Sequence, residues 1–248
     1  MTGKYKGVIF DLDGVICSTD RYHYQAWKAL ADKIGVPFDE EVNHRLKGVS
    51  RMDSLEIILE NGNRVREEGG SAGGADREHA GSAGGAAAGT RGVRAVYTQQ
   101  EKEALAAEKN AIYRQLLRQM TPADLPAEVK ETLQVLRRRG LRLAIGSSSK
   151  NTKMILQQIG LENFFDAVSD GTDITRSKPD PQVFRIAADR LGLKPADCLV
   201  VEDAQAGIEA ACAGGFDSAG VSDAAQYART TWPMECVAQL QDIVEGNA

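Results

Sequence analysis

Histidine is scarce in this 248-residue chain, with only three, and none of the four cysteines (Cys17, Cys198, Cys212 and Cys236) forms a C-x-x-C pair. A structural zinc site needs clustered Cys and His ligands, so none is expected. Scattered thiols without a secretory signal point to a reducing cytoplasm. No long apolar run precedes the first acidic residues of MTGKYKGVIFDLDG. Neither a signal peptide nor a membrane span is therefore expected there. A basic excess is also missing. The formal net charge is -5, which offers no electrostatic footprint for nucleic acid or an anionic membrane. It leaves room for a local basic pocket that takes a small phosphate. A monomer acting on small molecules, with neither nucleic acid nor membrane as partner, is the expectation.

Hydrophobic residues make up 42% of the chain, enough to bury one large core or two unequal ones. Short apolar runs alternate with amphipathic stretches. Tyr5 to Phe10 reads as a buried strand ending at Asp11, with further strands at Leu141 to Ile145 and Cys198 to Val201. Ala167 to Ser169 and Ser218 to Val221 are weaker strand candidates. Between them, helical patterns cover Ala127 to Arg139, Asn151 to Ile159, Pro181 to Leu191 and Ala204 to Ala213. They end at Gly140, Gly160, Gly192 and Gly214, where helix C-caps favour glycine. Strand and helix in alternation predict a doubly wound α/β fold, a parallel sheet covered by helices on both faces.

The stretch from Tyr22 to Met120 breaks that rhythm. It reads as helices alone, at Tyr22 to Ile34, Glu40 to Leu46, Arg51 to Glu60 and Thr98 to Met120. The expected organisation is a core of residues 1–19 and 122–248, with a helical domain of residues 20–121 inserted after the first strand. Within that insertion, residues 69–92 are mostly glycine and alanine. They lack the apolar surface to order themselves, so a flexible excursion is expected. They also lack the G-x-G-x-x-G and G-x-x-x-x-G-K-[ST] spacings of a phosphate loop.

Four features stand at or just after strand ends, where open parallel sheets form their ligand crevice. FDLDGV carries Asp11 and Asp13, two carboxylates close enough to demand a cation or a shared proton. Alone, this pattern also fits a solvated acidic turn. GSSSKN sets Ser147, Ser148, Ser149 and Asn151 at a helix start, which is either an anion site or a plain N-cap. SKPD carries Lys178, which could neutralise phosphate charge or be an exposed loop residue. VVEDAQAG carries Glu202 and Asp203, hard oxygen donors that suit magnesium with Asp11, or an acidic helix start favoured by the helix dipole.

All four in this order resemble the motifs of the haloacid dehalogenase superfamily, over essentially the whole core. The superfamily places one type of helical cap where the insertion stands. DLDGVI, His23 and Trp27 in YHYQAWKALA, and LKGVSRMDSL, which includes Ser54, look like the beta-phosphoglucomutase family. Lys109 and Asn110, SSSKN, SKPDPQVF and VVEDAQAGIEA fit it as well. Ser148 stands where alanine is expected, and Ser18 where an acidic residue is common.

The resemblance implies a mechanism. Asp11 would be the nucleophile and Asp13 the general acid/base. Magnesium would be held by Asp11, Asp203 and the main-chain carbonyl of Asp13, with Glu202 nearby. Ser147 and Lys178 would grip the transferring phosphoryl group. Arg51, with Lys47, Gly48, Val49 and Ser50, would hold the other phosphate, joined by Ser148 and Asn151. His23 and Lys109 would contact the sugar or assist Asp13. Read without the resemblance, Arg51 is a surface residue at a helix start and His23 a half-buried histidine.

The activity implied is conversion of beta-D-glucose 1-phosphate to glucose 6-phosphate through an aspartyl phosphate and beta-glucose 1,6-bisphosphate. A sugar-phosphate phosphatase would need the same core motifs but not the Lys47–Arg51 loop. A non-catalytic sugar-phosphate sensor would not need the Asp11, Asp13, Lys178 and Asp203 set.

Overall fold

The computed structural model describes residues 4–46, 50–70 and 95–246. The strands are β1 Gly7–Phe10, β2 Arg142–Gly146, β3 Ala167–Ser169, β4 Cys198–Glu202, β5 Asp217–Gly220 and β6 Trp232–Pro233. They form one parallel sheet in the order β3-β2-β1-β4-β5-β6. β1 lies between β2 and β4, so the strand order reverses beside it. At such a point helices leave on opposite faces and open a crevice at the carboxyl ends.

Helices α1 Asp20–Lys33, α2 Glu40–His44, α3 Arg51–Gly70 and α4 Gln99–Leu117 follow β1 in the chain. The remaining helices are α5 Ala127–Arg138, α6 Thr152–Gln158, α7 Gln182–Leu191, α8 Gln205–Gly214, α9 Ser222–Ala225 and α10 Leu240–Glu245. The fold is the doubly wound α/β core with an inserted helical domain. By internal contacts the chain forms two compact units, residues 1–21 with 116–248, and residues 22–115.

Register explains the sheet core. Partners across parallel strands point to the same face, so Ile9, Ala144, Ala167 and Val200 line one side. There they bury against Val183, Phe184, Ala187, Ala188 and Leu191 of α7 and Ala210 and Ala211 of α8. In the helical unit, Trp27, Leu30, Ala31, Phe38, Leu55, Ile58 and Ala106 make a separate core.

Several boundaries differ from the sequence reading. α3 runs ten residues beyond Glu60 despite two asparagines and three glycines there. Tertiary contacts offset their poor helix propensity. The Asn61 amide donates to Pro37 O at 3.0 Å. Asn63 donates to Ala95 O at 3.0 Å and accepts from Ala95 N at 2.8 Å. Gly69 and Gly70 therefore belong to α3 rather than to a flexible excursion. The rest of that stretch, from residue 71, lies outside the described residues, as do Lys47, Gly48 and Val49. Gly214 does not end α8 as a cap. It is the last helical residue, and Gly215, in the left-handed region at φ 82°, is the cap. β6, α9 and α10 carry no periodic signal of their own.

Candidate active site

Asp11 directly follows β1 and is held to β4 by its amide, which donates to Val201 O at 2.9 Å. Its carboxylate is buried and meets the Lys178 ammonium at 2.5 Å. Lys178 also pairs with Glu202, the buried last residue of β4. The ammonium lies 4.7 Å from the centroid of the Phe184 ring. One lysine thus bridges two carboxylates from neighbouring strands over an aromatic floor, which decides against the exposed-loop reading of Lys178. The other oxygen of Glu202 accepts from the amides of Asp203 at 3.0 Å and Ala204 at 3.2 Å.

Carboxylate oxygens of Asp11, Glu202 and Asp203 all lie within 4.8 Å of one another. Against three acids, Lys178 is the single ammonium paired with them among the described residues, so the ionised cluster carries excess negative charge. Burial, the largest influence, holds the Asp11 carboxyl well above the usual range, against the opposing charge of Lys178. Burial and then the Glu202 charge push Asp203 up to about 7. An all-oxygen donor set short of positive charge fits a hard divalent cation such as magnesium. The carboxylate of Asp13 is not one of that group.

Asp13 instead turns to Thr19, a fully buried residue whose hydroxyl donates to its Oδ1. Burial pushes Asp13 up to about 6, with hydrogen bonds from Thr19 opposing and the charge of Asp20 adding. A carboxyl titrating there is poised to exchange protons near neutral pH. The neighbouring Cys17 thiol is no rival nucleophile, because burial raises its pKa far above the ordinary value.

The GSSSKN loop follows β2. Ser147 is buried, its amide donates to Ser169 O at 3.1 Å, and its hydroxyl oxygen accepts from Ser149 N at 3.2 Å. The Ser149 hydroxyl accepts from Asn151 N at 3.2 Å, and Asn151 is buried. The Ser148 hydroxyl is buried and has no hydrogen-bond partner among the described residues.

The helical unit holds the other candidates. Lys109 is buried, with its ammonium 4.6 Å from the Trp27 ring centroid and 4.7 Å from that of Tyr113. It lies 2.9 Å from His23 Nδ1. An ammonium only donates, so Nδ1 is the acceptor and the imidazole is neutral. Burial, then the charges of Lys109 and Arg51, hold the His23 pKa well below its ordinary value. Trp27 belongs to the apolar core of this unit and supports Lys109 rather than standing open. Arg51, half-buried at the start of α3, forms no ion pair among the described residues. Ser50 caps that helix by exchanging hydrogen bonds with Asp53, and Ser54 is buried one turn on.

Sequence reasoning missed Thr19, Phe184 and Tyr113. Thr19 sits six residues after Asp13, a spacing with no motif meaning. The two aromatics read as ordinary apolar helix positions.

A family model for the haloacid dehalogenase-like hydrolases matches residues 5–215. A beta-phosphoglucomutase of Bacillus subtilis is 38% identical over 216 residues, covering 87% of this chain and 83% of that protein. A fructose-1-phosphate phosphatase of Escherichia coli is 30% identical, covering 89% of this chain and 98% of its own. The crystal structure of a beta-phosphoglucomutase from Clostridium difficile superposes with a TM-score of 0.76 at 31% identity, over 95% of this chain and 93% of that one. With its motifs gathered at the carboxyl ends of β1, β2 and β4, this chain belongs to the haloacid dehalogenase-like hydrolase family.

Proposed function

We propose that this protein is a beta-phosphoglucomutase, interconverting beta-D-glucose 1-phosphate and glucose 6-phosphate. The observation that carries the reading is the buried Asp11–Lys178–Glu202 ion cluster at the mouth of the sheet. The Asp11 carboxylate attacks phosphorus, and the bond from phosphorus to the sugar oxygen breaks. Asp13 hands its proton to the departing oxygen, leaving an aspartyl phosphate. Lys178 and the Ser147 hydroxyl hold the oxygens of the group in transfer, where charge is spread in the transition state. That aspartyl phosphate serves an incoming glucose 1-phosphate: Asp13 takes the proton of its 6-hydroxyl as that oxygen attacks phosphorus, the bond to Asp11 breaks, and the bisphosphate formed gives its 1-phosphate to Asp11 in the step above, releasing glucose 6-phosphate. The intermediate passed between the halves is beta-glucose 1,6-bisphosphate. Asp11, Asp203 and the main-chain carbonyl of Asp13, with Glu202 nearby, would hold magnesium. Bound there, the ion offsets charge on the transferring oxygens.

A mutase handles two phosphates at once, and the second needs cations of its own. Arg51 supplies a planar guanidinium suited to bidentate phosphate binding, and in this reading His23 and Lys109, in the same helical unit, contact the sugar or assist Asp13. Lys47, Gly48, Val49 and Ser50 complete that set in this reading. The relatives named as phosphatases favour a second reading, in which water discharges the aspartyl phosphate. Incubation with beta-glucose 1-phosphate, magnesium and a trace of the bisphosphate separates the two. Accumulating glucose 6-phosphate supports the mutase. Stoichiometric inorganic phosphate in its place overturns it and leaves the phosphatase.

A further inference from the structure

Lys178 must stand within hydrogen-bonding reach of Asp11, yet its loop, Thr175 to Asp180, has no regular structure to hold it. Two of these residues are nevertheless fixed by one side chain downstream. The Gln182 oxygen accepts from Thr175 N at 3.0 Å, from Arg176 N at 3.0 Å and from the Thr175 hydroxyl at 3.3 Å. All three partners are donors, which identifies the converging atom as the amide oxygen rather than the nitrogen. The other stem is tied to the same residue. Gln182 N donates to Asp180 Oδ1 at 3.0 Å, and Asp180 N donates to Ser177 O at 3.0 Å. Lys178 lies at the apex between these two ties. Gln182 itself opens α7, whose Phe184 forms the floor beneath the ammonium.

We infer that Gln182 is a positioning residue for phosphoryl transfer: its side-chain oxygen clamps the loop that presents Lys178 to Asp11 and Glu202. No other polar side chain among the described residues accepts from the amides of Thr175 and Arg176. Without it, those two amides lose their protein acceptor and the stem before Lys178 is held less firmly. The inference rests on the reading that Asp11 and Lys178 carry out the transfer, but not on whether the acceptor is a sugar or water.

Magnesium-dependent hydrolysis of acetyl phosphate tests it, since this small donor engages only the transfer chemistry. Gln182→Ala is expected to lower kcat roughly 10- to 100-fold with KM changed less than about threefold, as misplacement near 1 Å does. Gln182→Glu keeps an acceptor oxygen and should recover kcat to within about threefold of wild type. In a Lys178→Met background, Gln182→Ala should change the residual rate by less than about twofold, because the two act as one unit. An unchanged kcat in Gln182→Ala, no rescue by glutamate, or independent losses in the double variant overturns the assignment. If Gln182→Ala does not fold, Gln182→Met, which fills the same volume without an acceptor, takes its place. Failure of both to fold makes the side chain a structural support and also overturns it. Asp11→Asn in the same assay separates the two claims, because hydrolysis retained there sinks the nucleophile itself.

Discussion

Gly207, in the first turns of α8, is the point at which the helix backbone meets the acid cluster. A Cβ at this position would lie 1.9 Å from Glu202 Cδ, 2.0 Å from Oε1 and 2.5 Å from Cγ. Gly207→Ala must therefore drive the Glu202 carboxylate back by roughly 1.5 Å to reach ordinary van der Waals separation. Glu202 is 1% exposed, so it has no open space to retreat into. The retreat breaks its pair with Lys178 and both backbone bonds, from Asp203 N and Ala204 N. Hydrogen bonds to charged groups contribute roughly 1.5–3 kcal/mol each, so losing three costs on the order of 3–6 kcal/mol after partial relaxation. That is a large part of the roughly 5–15 kcal/mol that holds a domain together. Urea denaturation followed by circular dichroism reads the loss, and acetyl phosphate hydrolysis should fall about 100-fold as Lys178 loses its anchor. Truncation supplies the control. The three atoms nearest the new methyl all belong to the Glu202 side chain beyond Cβ. Gly207→Ala combined with Glu202→Ala should thus be as stable as Glu202→Ala alone, while remaining slow. A Gly207→Ala protein within about 1 kcal/mol of wild type, or a double variant no better than Gly207→Ala, refutes the reasoning.

The remaining expectations are more direct. Asp11→Asn keeps shape but removes the nucleophile, so turnover should fall by at least about 10³-fold with the melting temperature retained; activity within about tenfold would contradict the mechanism. Thr19→Val removes the hydrogen bond that draws Asp13 down toward about 6. The Asp13 pKa rises, so the limb of the pH–rate profile reporting that carboxyl should move to higher pH. An unmoved limb assigns it to another group. Arg51→Ala should lower mutase turnover by two or more decades, at roughly 1.5–3 kcal/mol per charged hydrogen bond, and leave acetyl phosphate hydrolysis near wild type. Equal losses in both assays make Arg51 structural. His23 has a depressed pKa when folded, so the unfolded chain binds its proton first and stability falls as pH drops below about 6.5. Relative to His23→Asn, the wild type should lose up to about 1.4 kcal/mol per pH unit between pH 6.5 and 5. Parallel stability–pH curves for the two proteins would refute the depressed pKa.

Local patterns alone made the alternation of strands and helices legible, because burial on both faces of a parallel strand leaves an unbroken apolar run such as Gly7–Phe10 or Cys198–Val201. The four motifs could be placed at strand ends for the same reason. The ends of α3 and α8 were less legible. Asn61 and Asn63 extend α3 through partners at Pro37 and Ala95, far away in sequence. Gly214 reads as a helix stop, but its lack of a side chain serves the close approach of Phe216. β6 is two residues long and exists only because β5 offers an edge.

The division is clearest at the acid cluster. Sequence determined that Asp11, Asp13, Glu202 and Asp203 stand at or just after the ends of buried strands, since carboxylates after apolar runs mark where a strand leaves the core, and that Lys178 stands in a loop before a helix. Only the tertiary structure decided their pairing. Lys178 goes to Asp11 and Glu202, from positions 167 and 24 residues away, because strand order puts β1 beside β4. Asp13 goes to Thr19 and stays out of the carboxylate group. Charge and spacing in a sequence state which groups are able to meet. Which ones do meet depends on strand order and on which buried charge has no other way to be compensated.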